Sequence, residues 1–183
     1  MVNYILGKGG HASVIAGRIN AREISEDEEY MIDPLDGLIV GIGIGIDIGI
    51  PRDRIRLFEK YGRGRFINSI DKSAVISESA FFKGSGIDVG VLAMVGPNAR
   101  IGDNVLINHG AQVAHDCKIG DHCIISAGAI LCGEVTLGRA CAIGAGAIIV
   151  QKVELPDESR VPAGTLVVSA NDFRKPVPMV RTD

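Results

Sequence analysis

Residues 95–148 read, in blocks of six, VGPNAR IGDNVL INHGAQ VAHDCK IGDHCI ISAGAI LCGEVT LGRACA IGAGAI. Every block opens on an aliphatic residue: Val95, Ile101, Ile107, Val113, Ile119, Ile125, Leu131, Leu137 and Ile143, with Ile149 next in step. Four residues after each stands a small one: Ala99, Val105, Ala111, Cys117, Cys123, Ala129, Val135, Cys141, Ala147 and Val153. A strict period of six fits neither the 3.6 of a helix nor the 2 of an alternating strand. It fits a solenoid of short flat strands and tight corners, with one aliphatic per face filling the interior. Three faces of six residues make an eighteen-residue coil, and successive coils pair as parallel strands about 4.8 Å apart.

Working outward, Val75, Phe81 and Ile87 keep the period, and the segment 84–90 slips phase by two residues before Val95, which reads as a bulged first coil. After Val153 the hexads stop. Leu155-Pro156-Asp157 reads as a turn, 161–168 as a final coil, and 175–178 as an extended tail in which proline forbids helix.

Composition agrees with a fold of close-packed corners. The 183 residues include 24 glycines, no tryptophan and only 4% aromatics, while 46% are hydrophobic, too many for a disordered chain. A net charge of −3 with interspersed signs offers no footprint for nucleic acid. The N-terminus lacks the pattern of a secretory signal, and the apolar run 38–50, broken by glycines and Asp47, is too short to span a bilayer. The four cysteines have no zinc-type pairing. Three of them, Cys117, Cys123 and Cys141, fall at the small-residue phase of the repeat, which reads as core and points to a reducing, cytoplasmic setting.

The first seventy residues are different. Residues 2–6 form an apolar run, then come Gly7-Lys8-Gly9-Gly10-His11-Ala12, an amphipathic helix over 12–21, a strand over 29–32 ending at Asp33, a third strand over 38–42 and a helix over 52–61. Strand, glycine loop, helix and strand make a βαβ unit with a parallel sheet, a small Rossmann-like α/β domain. The Gly7-x-Gly9-x-x-Ala12 spacing with Asp33 matches a dinucleotide fingerprint. The segment is too short for both halves of that fold, so the preferred reading is a nucleotide-sugar site at the helix N-terminus, with a purely structural turn as the alternative. The chain therefore divides into a small α/β domain over 1–72, read as nucleotide-sugar-binding, and a parallel β-helix domain with C-terminal tail over 73–183, the part to which the resemblance below gives the left-handed sense and the acyltransferase role.

Taken together, Gly7-Lys8-Gly9-Gly10-His11, Ile70 through Ser77, Ile107-Asn108-His109-Gly110-Ala111 and His115 through Asp121 resemble the hexapeptide-repeat sugar acetyltransferases of bacterial surface-glycan synthesis. That group includes the UDP-4-amino-sugar N-acetyltransferases, the GDP-perosamine N-acetyltransferases and the sialic acid O-acetyltransferases. The resemblance implies a left-handed β-helix, acetyl-coenzyme A as acyl donor, no metal and a homotrimer. It implies His115 as general base and Asp116 as the acid that orients it. Gly133 matches a backbone N–H donor to the thioester carbonyl, and His122 and Ala163 go with it on the coenzyme A side. Gly9, Gly10, His11 and Asp33 match the nucleotide-sugar loop, with Asn108 and His109 lining the acceptor pocket. Two positions depart from the family: Ile124 stands where a second histidine is usual, and the usual Gly-Val-Pro-Ala-Lys ending is absent.

The residues support the same chemistry independently. Acyl transfer from a thioester needs a base near neutrality, an oxyanion donor and exclusion of water. Of the four histidines, His115 alone is followed by a carboxylate, Asp116, able to fix its tautomer. Gly133 is one coil beyond His115 and should stack on it. His109, six residues earlier, reads equally as structural or pocket-lining, and His122 reads first as a corner residue. A γ-type carbonic anhydrase needs a histidine pair five apart and a third upstream, whereas here the pair is six apart and residues 75–107 hold no histidine. A non-catalytic scaffold would not need the His115-Asp116 pair. The expected activity is N-acetylation of a nucleotide-linked 4-amino sugar, with O-acetylation of sialic acid as the alternative.

Overall fold

The computed structural model describes residues 3–7, 10–19, 21–25, 37–40 and 51–170. Three strands, β1 (Asn3–Leu6), β2 (Arg22–Ile24) and β3 (Gly37–Val40), form a parallel sheet in the order β2-β1-β3, with helix α1 (Gly10–Ile19) joining the first two. Ile5, Ala12 and Ile15 are fully buried between sheet and helix, and Leu6, Leu38, Leu57 and Phe58 form a second small core that includes helix α2 (Arg52–Tyr61). The helix over 52–61 is where the sequence put it. The strand placed at 29–32 lies outside the described residues, and the partner of β1 is instead the short strand at Arg22–Ile24.

From Ser69 onward the described chain is a three-faced solenoid of two-residue strands. One face stacks Ser69–Ile70, Asp88–Val89, Leu106–Ile107, Ile124–Ile125, Ala142–Ile143 and Arg160–Val161. The second stacks Val75–Ile76, Met94–Val95, Gln112–Val113, Ile130–Leu131, Ile148–Ile149 and Leu166–Val167. The third stacks Phe81–Phe82, Arg100–Ile101, Lys118–Ile119, Thr136–Leu137 and Glu154–Leu155. All pairs are parallel, and this arrangement fits a left-handed β-helix. The second residue of each strand from Val89 on is buried in one continuous core with the small-residue series, Cys117, Cys123 and Cys141 among them.

From Gly86 on, each described corner turns on a residue in the left-handed region, recurring every six positions. Leu92, Asn98, Asn104, Asp116, His122, Glu134, Ala140, Lys152 and Glu158 have φ between 52° and 64°, and Gly86, Gly110, Gly128, Gly146 and Gly164 fill the same phase. This is the one conformational demand the repeat cannot avoid, and Gly, Asn, Asp and His meet it with least strain.

Three readings of the solenoid are corrected. Val75 and Phe81 point outward, 67% and 59% exposed; the inward residues are Ile76 and Phe82. Neighbours in a strand face opposite ways, and both members of each pair are apolar, so hydrophobicity does not say which is inside. The phase slip is one residue, not two: Phe81 pairs with Arg100, nineteen residues on, while Leu106 pairs with Ile124, eighteen on. Ile87 takes a small-residue position instead of an interior aliphatic one. The hexads also do not stop at Val153. Leu155, Val161 and Val167 continue the buried series without a break. Pro156 is tolerated because Glu154–Leu155 is the last described strand of its face, so no described neighbour needs a donor there.

Candidate active site

At an extended strand position the side chains of neighbours such as His115 and Asp116 would diverge. They meet because Asp116 is a corner residue at φ 59°. Its Oδ2 lies 2.8 Å from His115 Nδ1, and its Oδ1 accepts a 3.1 Å bond from the Asn98 amide one coil below. The hydrogen bond from His115, then that from Asn98, hold the Asp116 carboxyl below the usual carboxylate range. An ionised carboxylate can only accept, so His115 Nδ1 carries a proton, and the neutral form of the ring is the one with its lone pair on Nε2. The two side chains are about half exposed, at 51% and 48%.

Nε2 lies against Gly133. A Cβ built there would run into the His115 ring, with Cε1 at 2.5 Å and Cδ2 at 3.1 Å, so the ring occupies the space that any other residue would need. At this corner Glu134 N–H donates to His115 O and Gly133 O accepts from Lys152 N–H, while the Gly133 N–H takes no part in the corner's hydrogen bonds. A ring nitrogen and a residue whose backbone N–H has no partner among the described residues therefore meet at one corner. This is the pair that a tetrahedral acyl intermediate requires, one to take the proton and one to meet the oxyanion.

Residues 98–133, the corners carrying these groups, match the family described as bacterial transferase hexapeptide (six repeats). Among solved structures, PerB from Caulobacter crescentus, in complex with CoA and GDP-perosamine, is 28% identical with a TM-score of 0.79, covering 92% of this chain and 89% of that one. The acetyltransferase domain of PglB from Neisseria gonorrhoeae is 24% identical with a TM-score of 0.80, covering 92% and 91%. WeeI from Acinetobacter baumannii is 19% identical with a TM-score of 0.65, covering 93% and 97%, and for these last two the likeness is one of fold. A search of curated protein sequences finds no match. The chain carries the hexapeptide repeat of these transferases and is similar to bacterial sugar acetyltransferases. Its chemistry is acyl transfer.

In this acetyltransferase the remaining sequence candidates scatter over the prism. His109 sits one corner before His115, its ring packed over Gly90, its backbone N–H bonded to Asn108 Oδ1 and its Nδ1 buried without a described partner. Ala163 is exposed, three positions before the start of the last described strand, Leu166–Val167, and its backbone N–H fills the Cβ space of Gly144. His122 is 7% exposed and belongs to a third edge, away from His115. Its Nδ1 is 3.0 Å from the Asn104 amide and its ring meets Phe58 of α2 edge-on at 5.5 Å. Burial, then the charge of Arg139, lowers its pKa and favours the neutral ring. These contacts hold His122 under α2. Gly10 opens α1, and the His11 backbone follows it in the helix; Gly9 and Asp33 lie outside the described residues. Among the described residues no three His, Cys, Asp or Glu side chains converge as a metal cage, and no helix is long and apolar enough to cross a membrane.

Two groups of residues were missed from sequence. Asn98 is eighteen residues before Asp116, so the same arithmetic that stacked Gly133 on His115 would have found it. Arg54 carried no such signal. It is 2% exposed, donates to Asn104 Oδ1 at 3.0 Å, and its pKa is lowered to about 10 by burial, with the charge of Asp88 opposing the fall. It joins α2 to the prism through the same Asn104 that touches His122.

Proposed function

We propose that this protein is an acetyl-coenzyme A-dependent N-acetyltransferase acting on a nucleotide-linked 4-amino sugar in surface-glycan biosynthesis. The observation that carries the reading is the His115 ring lying against Gly133, whose backbone N–H has no partner among the described residues. The neutral amine of the sugar attacks the thioester carbonyl, His115 Nε2 takes its proton, and Gly133 N–H holds the oxyanion. Collapse of the intermediate expels the coenzyme A thiolate, which recovers the proton from the imidazolium that Asp116 has stabilised. PerB, whose structure holds CoA and GDP-perosamine, supports both the donor and the nucleotide-linked acceptor. Gly9, Gly10, His11 and Asp33 in the 1–72 domain are assigned to the nucleotide, and Asn108 and His109 to the sugar pocket. The experiment is thiol release from acetyl-coenzyme A with GDP-, UDP- and dTDP-linked 4-amino sugars and with free sialic acid. Turnover of at least one nucleotide-linked amine, and none of sialic acid, is the expected result. Turnover of sialic acid alone, unaffected by added nucleotides, overturns it.

The working unit in this reading is a homotrimer. The dyad is half open to water on a monomer, although acyl transfer needs water excluded. Beside it lies the second face, whose outward column is mainly apolar: Val75, Met94, Ile130, Ile148 and Leu166, with Val75, Ile148 and Leu166 exposed by 67%, 37% and 57%. A second copy on that face would bury the stripe and close the site. Sedimentation equilibrium is expected to give three times the chain mass; a clean monomer at micromolar concentration overturns this. The proposed setting is cytoplasmic. Its support is four free thiols, three of them buried and donating to carbonyl oxygens fifteen residues on, with Cys117 pushed up to about 11 by burial.

A further inference from the structure

The third face differs from the other two. On three consecutive rungs its outward residues are Phe81, Arg100 and Lys118, in direct register. Parallel neighbours lie about 4.8 Å apart, so a guanidinium and an ammonium are stacked on adjacent rungs, where like charges repel. Neither has a carboxylate partner within ion-pair distance among the described residues. Two other exposed cations of this region do: Arg63 pairs with Asp103 and Arg139 with Glu59. Phe81 leaves 59% of its surface in water at the foot of the same column. The three line a groove of about 600 Å³ with Ser79, Asn98 and Asp116. Asp116 is the residue bonded to His115, so the groove begins where the acyl-transfer dyad ends.

We propose that this groove binds the base and phosphate chain of a nucleotide, with Arg100 and Lys118 on the phosphates and Phe81 stacked on the base. Two unneutralised cations on adjacent rungs are relieved by one multiply charged anion, which a guanidinium fork and a mobile ammonium grip in complementary ways. An exposed aromatic ring next to them gives the base a platform that makes no demand on its identity. Asn98 and Ser79 supply neutral hydrogen-bonding groups at the rim. The chemistry is shared by the adenosine phosphate end of coenzyme A and by the nucleoside diphosphate of an activated sugar. The proposal rests on the acetyltransferase reading only in naming those two sources.

The test is titration calorimetry of the full chain with adenosine 3′,5′-bisphosphate, coenzyme A, GDP and UDP. At least one is expected to bind the wild type and to weaken about tenfold or more in the Arg100→Gln/Lys118→Gln double variant, and several-fold in Phe81→Leu. Lys72→Gln/Arg160→Gln removes the same charge elsewhere and is expected to leave affinity within about twofold. Losses confined to the adenosine compounds assign the groove to the acyl donor, and losses confined to GDP or UDP assign it to the acceptor; both support the proposal. A readout without substitution is the rate of amine modification at Lys118, expected to fall when the nucleotide is present. No nucleotide binding by the wild type, unchanged affinities in the double variant, or equal losses in the charge-matched control overturn it. Acetyl transfer separates the two readings. A chain that loses nucleotide affinity with Arg100 and Lys118 yet never transfers acetyl keeps this inference and removes the function proposed above. A chain that transfers acetyl with unchanged affinities does the reverse.

Discussion

His115→Ala is expected to lower kcat for acetyl transfer by about 10²–10⁴-fold, the range over which a positioned general base acts. Coenzyme A affinity should stay within a few-fold of wild type, because the alanine removes a ring from an exposed corner and leaves the strands around it untouched. The loss should fall on kcat and kcat/KM together, the signature of an interaction made in the transition state. Asp116→Asn should cost about tenfold. Its amide oxygen can still accept from Nδ1–H and hold the ring, but the imidazolium formed during the reaction then faces no charge. The carboxylate is suited to this task because the bonds from His115 and Asn98 keep it ionised. Asn98→Ala removes the second of those bonds and should weaken the orientation of Asp116 with a smaller fall in kcat than Asp116→Asn. Thiol-release kinetics on the four proteins measure the series. Retention of more than a tenth of the rate by His115→Ala sinks the assignment of the base.

How much of this was legible follows from the repeat itself. Where coils are a uniform eighteen residues, sequence distance is spatial distance, and His115 falls on Gly133 by counting. The same rule reaches Asn98 through Asp116. It fails where the repeat is irregular or where a residue answers to something outside the coil. The one-residue insertion before Asp88 was hidden because Val75-Ile76 and Phe81-Phe82 are apolar doublets that fit either phase. Pro156 looked like an ending because proline is excluded from strand interiors, yet it sits on the last described rung of its face. His122 has the corner phase of Asp116 but lies under α2, and the hexad pattern holds no information about which edge a helix from another part of the chain will cover. Arg54 is the extreme case, a charged residue in a charged stretch of helix whose burial is decided by the Asn104 it meets fifty residues away.

Gly133→Ala is expected to lower kcat by about 10²-fold while leaving thermal stability nearly unchanged. What surrounds the missing Cβ decides this. At Gly120 the added atom would meet backbone, Gly138 C at 2.7 Å and Arg139 N at 2.9 Å, so Gly120→Ala should be paid for in stability. At Gly133 the three nearest atoms all belong to the His115 ring, a half-exposed side chain free to swing toward solvent. Swinging moves Nε2 away from Gly133 and strains or breaks the 2.8 Å bond to Asp116. A misplacement of about 1 Å is enough to cost about a hundredfold in rate. If the ring is the whole cause, the loss must vanish when the ring is absent. Gly133→Ala added to His115→Ala should then change kcat by no more than about threefold, a strongly non-additive pair of the kind that contacting residues give. A full hundredfold loss on top of His115→Ala would mean that the added methyl acts on the groove wall and not through the ring, and the stacking of base on oxyanion donor would not be the basis of catalysis.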